Sequence, residues 1–271
     1  MKKTVKIFAY NQGSRSARAL AEKLGVLRIR HLDSKFRAKE HHKIINWGSR
    51  RLPPNVVGAG TIINPTEFVS LCADKTETLQ FCAEKEIPHV EFTTDDDEAY
   101  EWLQEGCVVV GRETTKGRGG EGILVFEHIE DFVSKLPLYT KYFPKKQEWR
   151  VHISSHSGPF YLQRKVLRRG VDPEEVDWKI RNLEGGFIFQ RYNEDVPDRV
   201  VELSVLLYQK VKKVFPEDSW ILNADILFNE KKNRAVVCEF NSAPGLDDMS
   251  ASVYAEELKR ILGFVTETKE R

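Results

Sequence analysis

Three side chains in the C-terminal third carry the first chemistry that the sequence offers. Glu239 and Asn241 lie two apart in Val236-Val237-Cys238-Glu239-Phe240-Asn241, and Asp225 lies upstream in Asn223-Ala224-Asp225-Ile226-Leu227-Phe228. Apolar residues dominate the start of the later run, which marks a buried strand. Residues two apart on a strand project from one face. Pro244-Gly245 ends the extended run. The polar turn 229–234 separates the two runs, so a hairpin centred near Lys232 is expected. It would set Asp225 opposite Glu239 and Asn223 opposite Asn241. Carboxylates that close repel unless a proton or a cation sits between them. Hard oxygen ligands of this kind suit Mg²⁺, which is commonly held by one or two carboxylates plus substrate phosphates. An edge hairpin with solvated polar ends accounts for the same residues, so the rest of the chain must discriminate.

Triphosphate binding would require cations as well, and the chain supplies them. The loop Thr114-Thr115-Lys116-Gly117-Arg118-Gly119-Gly120-Glu121-Gly122 joins two apolar runs. It is therefore not a P-loop, which joins a strand to a helix and needs Gly-Lys-Ser/Thr. Its glycines let backbone N–H groups turn inward as an anion-binding nest, although a merely flexible hairpin has the same composition. Arg112 shares a face with Val108 and Val110 at the end of the preceding strand. Lys75 stands beside a helix start. Arg150 lies within Glu148-Trp149-Arg150-Val151-His152, and Arg164-Lys165 and Arg181-Asn182 end further runs. Each of these alone is by default a surface charge. Together with a carboxylate pair, they are explained economically by a bound triphosphate.

Such residues need elements to hold them. A strand over 5–10, a helix capped by Ser14 with Ala17, Leu20, Ala21 and Leu24 on one face, and a strand over 27–32 form a β-α-β unit. A third strand over 43–47 extends this small parallel lobe. Its first turn holds a single glycine, which excludes a dinucleotide fingerprint. Asp74 caps a helix carrying Leu79, Phe81 and Cys82. Asp95, Asp96 and Asp97 favour the start of a helix over 98–105. Strands are expected at 107–112 and 122–126, with extended structure at 137–143, 148–153 and 160–167. A charged loop, 168–179, leads to the longest helix, 196–215, which has Val200, Leu203, Leu206, Leu207 and Val211 on one face. The 223–241 hairpin follows, and a helix over 251–262 comes last. The class is α/β (α+β).

Composition narrows the reading further. The chain has 271 residues, 41% of them hydrophobic, enough for one large domain or two to three lobes. Lys plus Arg (42) nearly balances Asp plus Glu (41), so no global field argues for nucleic acid or membrane. No apolar run approaches the ~20 residues of a membrane span. Cys72, Cys82, Cys107 and Cys238 lack C-x-x-C pairing and sit among apolar residues, as buried free thiols of a reducing cytoplasm would. Zinc-ligand spacings are absent. The basic stretch 35–51, with His41, His42, Lys43, Arg50 and Arg51, is compatible with a nucleic-acid or protein substrate, although a solvated face is the commoner use of such a run.

Taken in order, these pieces resemble an ATP-grasp carboxylate–amine ligase, the superfamily of D-alanine–D-alanine ligase, glutathione synthetase and the ribosomal-protein glutamate ligases. The compact phage-type ATP-grasp proteins are especially similar. The resemblance covers nearly the whole chain. Its most specific parts are Asp225 with Glu239-Phe240-Asn241-Ser242-Ala243-Pro244-Gly245, and residues 142–152. Asn46-Trp47-Gly48-Ser49 and Ile63-Asn64-Pro65 resemble the phage-type members.

The resemblance implies an N-terminal lobe (1–70), a central lobe with a glycine-rich lid (71–135) and a C-terminal lobe with the metal site (136–271), ATP lying between antiparallel sheets. Asp225, Glu239 and Asn241 would bind two Mg²⁺ ions, with Mn²⁺ as an alternative. Lys75 and Arg112 would contact the α- and β-phosphates, and Lys116, Gly117, Gly119, Gly120 and Gly122 would cover the γ-phosphate. Thr140, Lys141 and Tyr142 resemble the hinge that reads adenine, and Glu148 the acid that holds the ribose. Arg150, Lys165, Arg181 and Asn182 would surround the transferred phosphoryl group and an acyl-phosphate. The implied partners are ATP, a carboxylate substrate and an amine, with ADP, phosphate and an amide as products, in the cytoplasm of a bacterium or phage-infected host. The strand position usually held by lysine is Arg112, which keeps the charge but binds as a planar fork. A phosphotransferase on the same fold, or a non-catalytic nucleotide-binding module, would use many of the same residues.

Overall fold

The computed structural model describes residues 3–30, 34–116, 121–192, 194–217 and 219–264. The chain begins with β1 (Val5–Ala9), α1 (Arg15–Leu24), β2 (Leu27–Arg28), β3 (Lys43–Trp47), α2 (Pro54–Val57) and β4 (Thr61–Ile63). The four strands form a parallel sheet in the order β2-β1-β3-β4. Ser14 caps α1 by accepting from the Ala17 amide at 3.2 Å, and Gly25 ends the helix in the left-handed conformation at φ 63°. Ala17, Leu20, Ala21 and Leu24 bury one face of α1 against the sheet. The second strand pairs only at Leu27–Arg28, shorter than the expected 27–32, and residues 31–33 lie outside those described.

Two helices follow, α3 (Thr66–Ala73) and α4 (Lys75–Glu84). The first has no counterpart in the sequence reading, because Pro65 at its cap position offers no side-chain acceptor. The second starts where expected, with Asp74 accepting from the Thr76 amide. Next come β5 (Phe92–Thr93), α5 (Asp96–Gln104), β6 (Val109–Arg112), β7 (Ile123–Phe126) and β8 (Leu138–Lys141). These strands make an antiparallel sheet in the order β5-β8-β6-β7. Asp95 caps α5 through the amides of Asp97 and Glu98. At Gly111 a Cβ atom would stand 2.5 Å from Leu136 Cδ1, so a side chain there would displace Leu136.

The remaining elements are β9 (Gln147–Ser154), β10 (Gly158–Leu167), β11 (Phe187–Arg191), α6 (Asp198–Val214), β12 (Ile221–Asn229), β13 (Arg234–Asn241) and α7 (Asp248–Ile261). The five strands form an antiparallel sheet in the order β11-β10-β9-β12-β13. Its two faces differ sharply, and β9 shows why. Trp149, Val151 and Ile153 are fully buried on one face, against Val200, Leu203, Leu207 and Val211 of α6 and Phe68 and Phe81 of α3 and α4. Burying each such side chain stabilises by roughly 1.5–3 kcal/mol. Glu148, Arg150, His152 and Ser154 alternate onto the other face. There α7 covers one end, packing with α1 and the parallel sheet, and the other end stays open. Among the described residues no helix is long and apolar enough to cross a membrane. Cys72 and Cys82 are buried, whereas Cys107 and Cys238 are half-buried, a correction to the expectation for those two; all four are free thiols.

Candidate active site

β12 and β13 form the expected hairpin, and its register brings Asp225 opposite Glu239 and Asn223 opposite Asn241. Nearer the turn the register shifts by one residue, so that Ile226 faces Val237. The extra residue is Cys238. Without this bulge Glu239 would fall opposite Ala224 and point into the apolar core, since a one-residue slip exchanges the faces of a strand. The bulge therefore gives the hairpin both an apolar body and a polar end.

The polar end continues across the sheet. Asp225 is also in register with Arg150 on β9, and Arg150 with Gln163 on β10. Arg150 donates Nε and Nη2 to the two Asp225 oxygens, both at 2.8 Å, and its guanidinium lies 3.7 Å from the Phe189 ring centre on β11. Lys75, at the start of α4, places Nζ 3.4 Å from Glu239 Oε2. Burial opposes the Glu239 charge, but Lys75, Arg112, Arg150 and Lys165 outweigh it and hold the carboxyl down to about 2. Burial pushes the Asp225 carboxyl up, against the pull of Arg150, and the nearby Glu239 charge adds to the push. Asn241 donates its amide nitrogen to Glu239 Oε1 at 3.4 Å, which turns its own oxygen outward. Two carboxylates and an amide oxygen thus line a place that already balances several cations.

The next row along the sheet holds Glu148 and Lys165, which form a buried ion pair, and Lys165 also donates to the Arg181 carbonyl at 2.9 Å. Lys116 pairs with Asp74 at 3.3 Å, and the Lys75 amide donates to Thr115 at 3.1 Å. The start of the glycine-rich loop is therefore tied to the start of α4. Gly117, Gly119 and Gly120 lie outside the described residues. Gly122 adopts φ 64° beside Glu113 and does not line the cleft.

At the end of β8, the expected hinge, the amides of Lys141 and Tyr142 donate to the Glu91 and Val108 carbonyls, so neither hydrogen is available to a base. The Lys141 ammonium pairs with Glu91 at 2.9 Å and lies over the Trp102 ring. Arg181 donates to the carbonyls of Trp178, Lys146 and Lys145, and Asn182 caps its own turn through the Gly185 amide. These two shape the β10–β11 loop as well as the site.

A cleft of about 1020 Å³ runs between the two antiparallel sheets and reaches the parallel lobe. All the expected site residues that are described line it, Gly122 excepted: Lys75, Arg112, Lys116, Thr140, Lys141, Tyr142, Glu148, Arg150, Lys165, Arg181, Asn182, Asp225, Glu239 and Asn241. Gln163, Lys145, Ser14 and Arg15 also line it without having been named as site residues from the sequence, and Arg50 of the basic stretch lines it too. Polar alternation along β9 and β10 was the available signal for Gln163. The lobe turns carry no local signal, because they reach the cleft only through tertiary packing. Asn64 supplies part of that packing. It donates to the Ser242 carbonyl at 3.1 Å and accepts from the Ile221 amide at 2.8 Å, fastening the parallel lobe to the loop after β13. Along the basic stretch, Lys35, Arg37 and Lys39 are exposed while Phe36 packs inward.

No protein-family model matches the chain, and no curated protein matches its sequence. Solved structures do match. D-alanyl-alanine synthetase A from Vibrio cholerae superposes with a TM-score of 0.68 at 12% identity, over 97% of this chain and 98% of that one. A RimK domain ATP-grasp protein from Sphaerobacter thermophilus gives 0.61 at 12% identity, over 93% and 98%. D-alanine–D-alanine ligase from Bacillus anthracis, solved in complex with ATP, gives 0.59 at 12% identity, over 98% and 96%. The chain has the ATP-grasp fold, as the resemblance read from its sequence implied.

Proposed function

Starting from that fold, we propose that the chain is an ATP-dependent carboxylate–amine ligase that works through an acyl-phosphate. The observation that carries this reading is the row Arg150–Asp225–Glu239 in a cleft also lined by Lys75, Arg112 and Lys165. Paired carboxylates inside a ring of cations suit a metal-bound triphosphate better than any uncharged ligand. Asp225, Glu239 and Asn241 would hold two Mg²⁺ ions. Glu239 stays ionised and Asn241 meets it through its nitrogen, not its oxygen, whereas both Asp225 oxygens accept from Arg150, so Asp225 would divide its charge between that fork and the metal. When bound, the metal would neutralise charge that shifts between the β- and γ-phosphates.

Lys75 and Arg112 would hold the α- and β-phosphates, and Lys116 with the glycine-rich loop would close over the γ-phosphate and exclude water. Thr140 and Tyr142 would line the base, and Glu148 the ribose. An oxygen of the acid substrate would attack the γ-phosphorus while the bond to the β-phosphate oxygen breaks, releasing ADP. The amine would then attack the acyl carbon. The carbon–oxygen bond to phosphate breaks, phosphate leaves, and the nitrogen loses a proton to solvent. Arg150, Lys165 and Arg181 would stabilise the oxygens on which charge develops. No Ser, Cys or His nucleophile is needed. The basic stretch 35–51 keeps a protein or nucleic-acid substrate within the proposal, in a cytoplasmic setting.

The test is ADP release from Mg-ATP in the presence of panels of amino acids, peptides and nucleotides. An acid–amine pair that stimulates release and yields an amide by mass spectrometry is expected. A phosphate ester as the product would favour a phosphotransferase, and nucleotide binding without stimulated turnover would favour a binding module.

A further inference from the structure

One polar row on the same face of the large sheet, under α7, enters the reading above only through Asn241. Tyr161, His152, Asn223 and Asn241 stand in register across β10, β9, β12 and β13, next to the row of Gln163, Arg150, Asp225 and Glu239. His152 and Asn223 are fully buried, and Gln163 is 5% exposed. Tyr254 of α7 covers this row. Its hydroxyl lies 2.6 Å from His152 Nδ1, and His152 Nε2 lies 3.0 Å from Gln163 Oε1.

One placement of the protons in this chain leaves the Tyr254 hydroxyl hydrogen paired. Burial pushes the Tyr254 phenol up, so it keeps its hydrogen. His152 Nδ1 is the acceptor within reach among the described residues. Burial, with Arg150 adding to it, pushes His152 down to about 3, so the ring carries one proton at neutral pH. With Nδ1 accepting, that proton sits on Nε2 and is donated to Gln163 Oε1. The Gln163 amide nitrogen must then point away from His152. One of its hydrogens faces the Tyr161 hydroxyl. Gln163 itself lines the cleft wall, in register with Arg150.

We propose that Gln163 is a catalytic residue of this cleft, its amide nitrogen donating to an oxygen of the phosphoryl group in transfer beside Arg150. Tyr254 and His152 are positioning residues that hold the amide the right way round. A glutamine free to flip would turn its carbonyl oxygen toward the same oxyanion half of the time, and repel it. Fixing the donor before charge develops is the kind of preorganisation that lowers a barrier without rearrangement. The inference rests on the reading of the cleft as a phosphoryl-transfer site.

Calorimetry with MgADP, and with MgADP plus aluminium fluoride as a mimic of the transferring phosphoryl, separates the two. Gln163→Met should leave MgADP affinity within about twofold and weaken the fluoride complex about tenfold, the usual size for one lost donor to a charged group. Gln163→Glu keeps the shape, cannot donate when ionised and adds a repelling charge, so it should weaken the fluoride complex by more than about tenfold, and it serves if the Met variant fails to fold. Tyr254→Phe should weaken only the fluoride complex, by about threefold as the glutamine orientation relaxes, and should add nothing in a Gln163→Met background. A purely structural Tyr254 would weaken both complexes and add to Gln163→Met, which would overturn the positioning role. Unchanged affinity of the Gln163 variants for the fluoride complex, or no gain from fluoride in the wild type, overturns the inference and leaves the nucleotide site standing. A wild-type protein that does not bind MgADP overturns the reading of the cleft itself.

Discussion

Replacing Glu239 with glutamine removes one charge and almost no volume, so its consequences are electrostatic. Glu239 lies 3.4 Å from the Lys75 ammonium, with side-chain exposures of 26% and 14%. Two unit charges at that distance attract by about 1 kcal/mol in a water-like dielectric and about 5 kcal/mol at an effective value of 20. Partial solvation places the usable part near 1–2 kcal/mol, about tenfold in an equilibrium constant. The carboxylate thus holds Lys75 and repels a triphosphate wherever no metal lies between them. In EDTA, Glu239→Gln should therefore bind ATP about tenfold more tightly than the wild type. In Mg²⁺ the order should reverse. The variant should lose most of the metal-dependent gain in affinity, and turnover should fall by about 10²–10³. Calorimetric titration of ATP with and without Mg²⁺, together with coupled ADP release, measures both arms. Wild-type magnesium dependence in the variant, or weaker metal-free binding, would refute the assignment of Glu239 to a metal.

Four further outcomes are expected. Arg150→Met leaves Asp225 charged and buried without its fork, which should cost roughly 3–5 kcal/mol in urea unfolding; adding Asp225→Asn should recover most of it. Arg112→Ala should raise the ATP dissociation constant about tenfold, and an unchanged constant by calorimetry would count against a phosphate contact. His152 is held near 3 in the folded protein, against an ordinary 6.5, so below pH 6.5 the unfolded chain takes up a proton that the native one refuses. Stability should fall by about 2 kcal/mol between pH 6.5 and 5 from this residue, and His152→Leu should remove that share; identical pH dependence in the two proteins would sink the argument. At Gly48, φ is +77° and a Cβ atom would stand 2.7 Å from Ala243 Cβ. Gly48→Ala should therefore lower the melting temperature by a few degrees, by about 2 °C for each 1 kcal/mol lost, and no change would mean that the two turns yield easily.

Much of the architecture was legible because it follows from local periodicity. The Ser14 cap, the apolar face of α1 and the Gly25 stop lie within a few turns of chain, and so do the Asp74 and Asp95 caps. The alternation Glu148, Arg150, His152 tells which face of β9 is polar, whatever the partners of that strand. The hairpin register near Asp225 was also accessible, since a turn centred near Lys232 and a buried face leave little freedom. Helix α3 was not legible, because its start at Pro65 lacks a side-chain cap and its identity as a helix comes from burying Phe68, Val69 and Cys72 beneath the large sheet.

The carboxylate pair and the scattered cations could be named from sequence as candidates for one site, but residue types do not say which of them meet. The Cys238 bulge keeps Glu239 on the side of Asp225, and it leaves no sequence mark that separates it from an ordinary strand. Lys75 and Glu239 lie 164 positions apart in the chain and come together because α4 and β13 share an apolar underside. Gln163 acquires an orientation only when α7 folds back and lays Tyr254 on His152. The sequence by itself determined most of the elements, their polar faces and the kind of chemistry, since those depend on neighbours along the chain. The tertiary structure alone decided the pairing of charges, the placement of protons and the shape of the cleft, since those depend on packing between elements far apart in sequence.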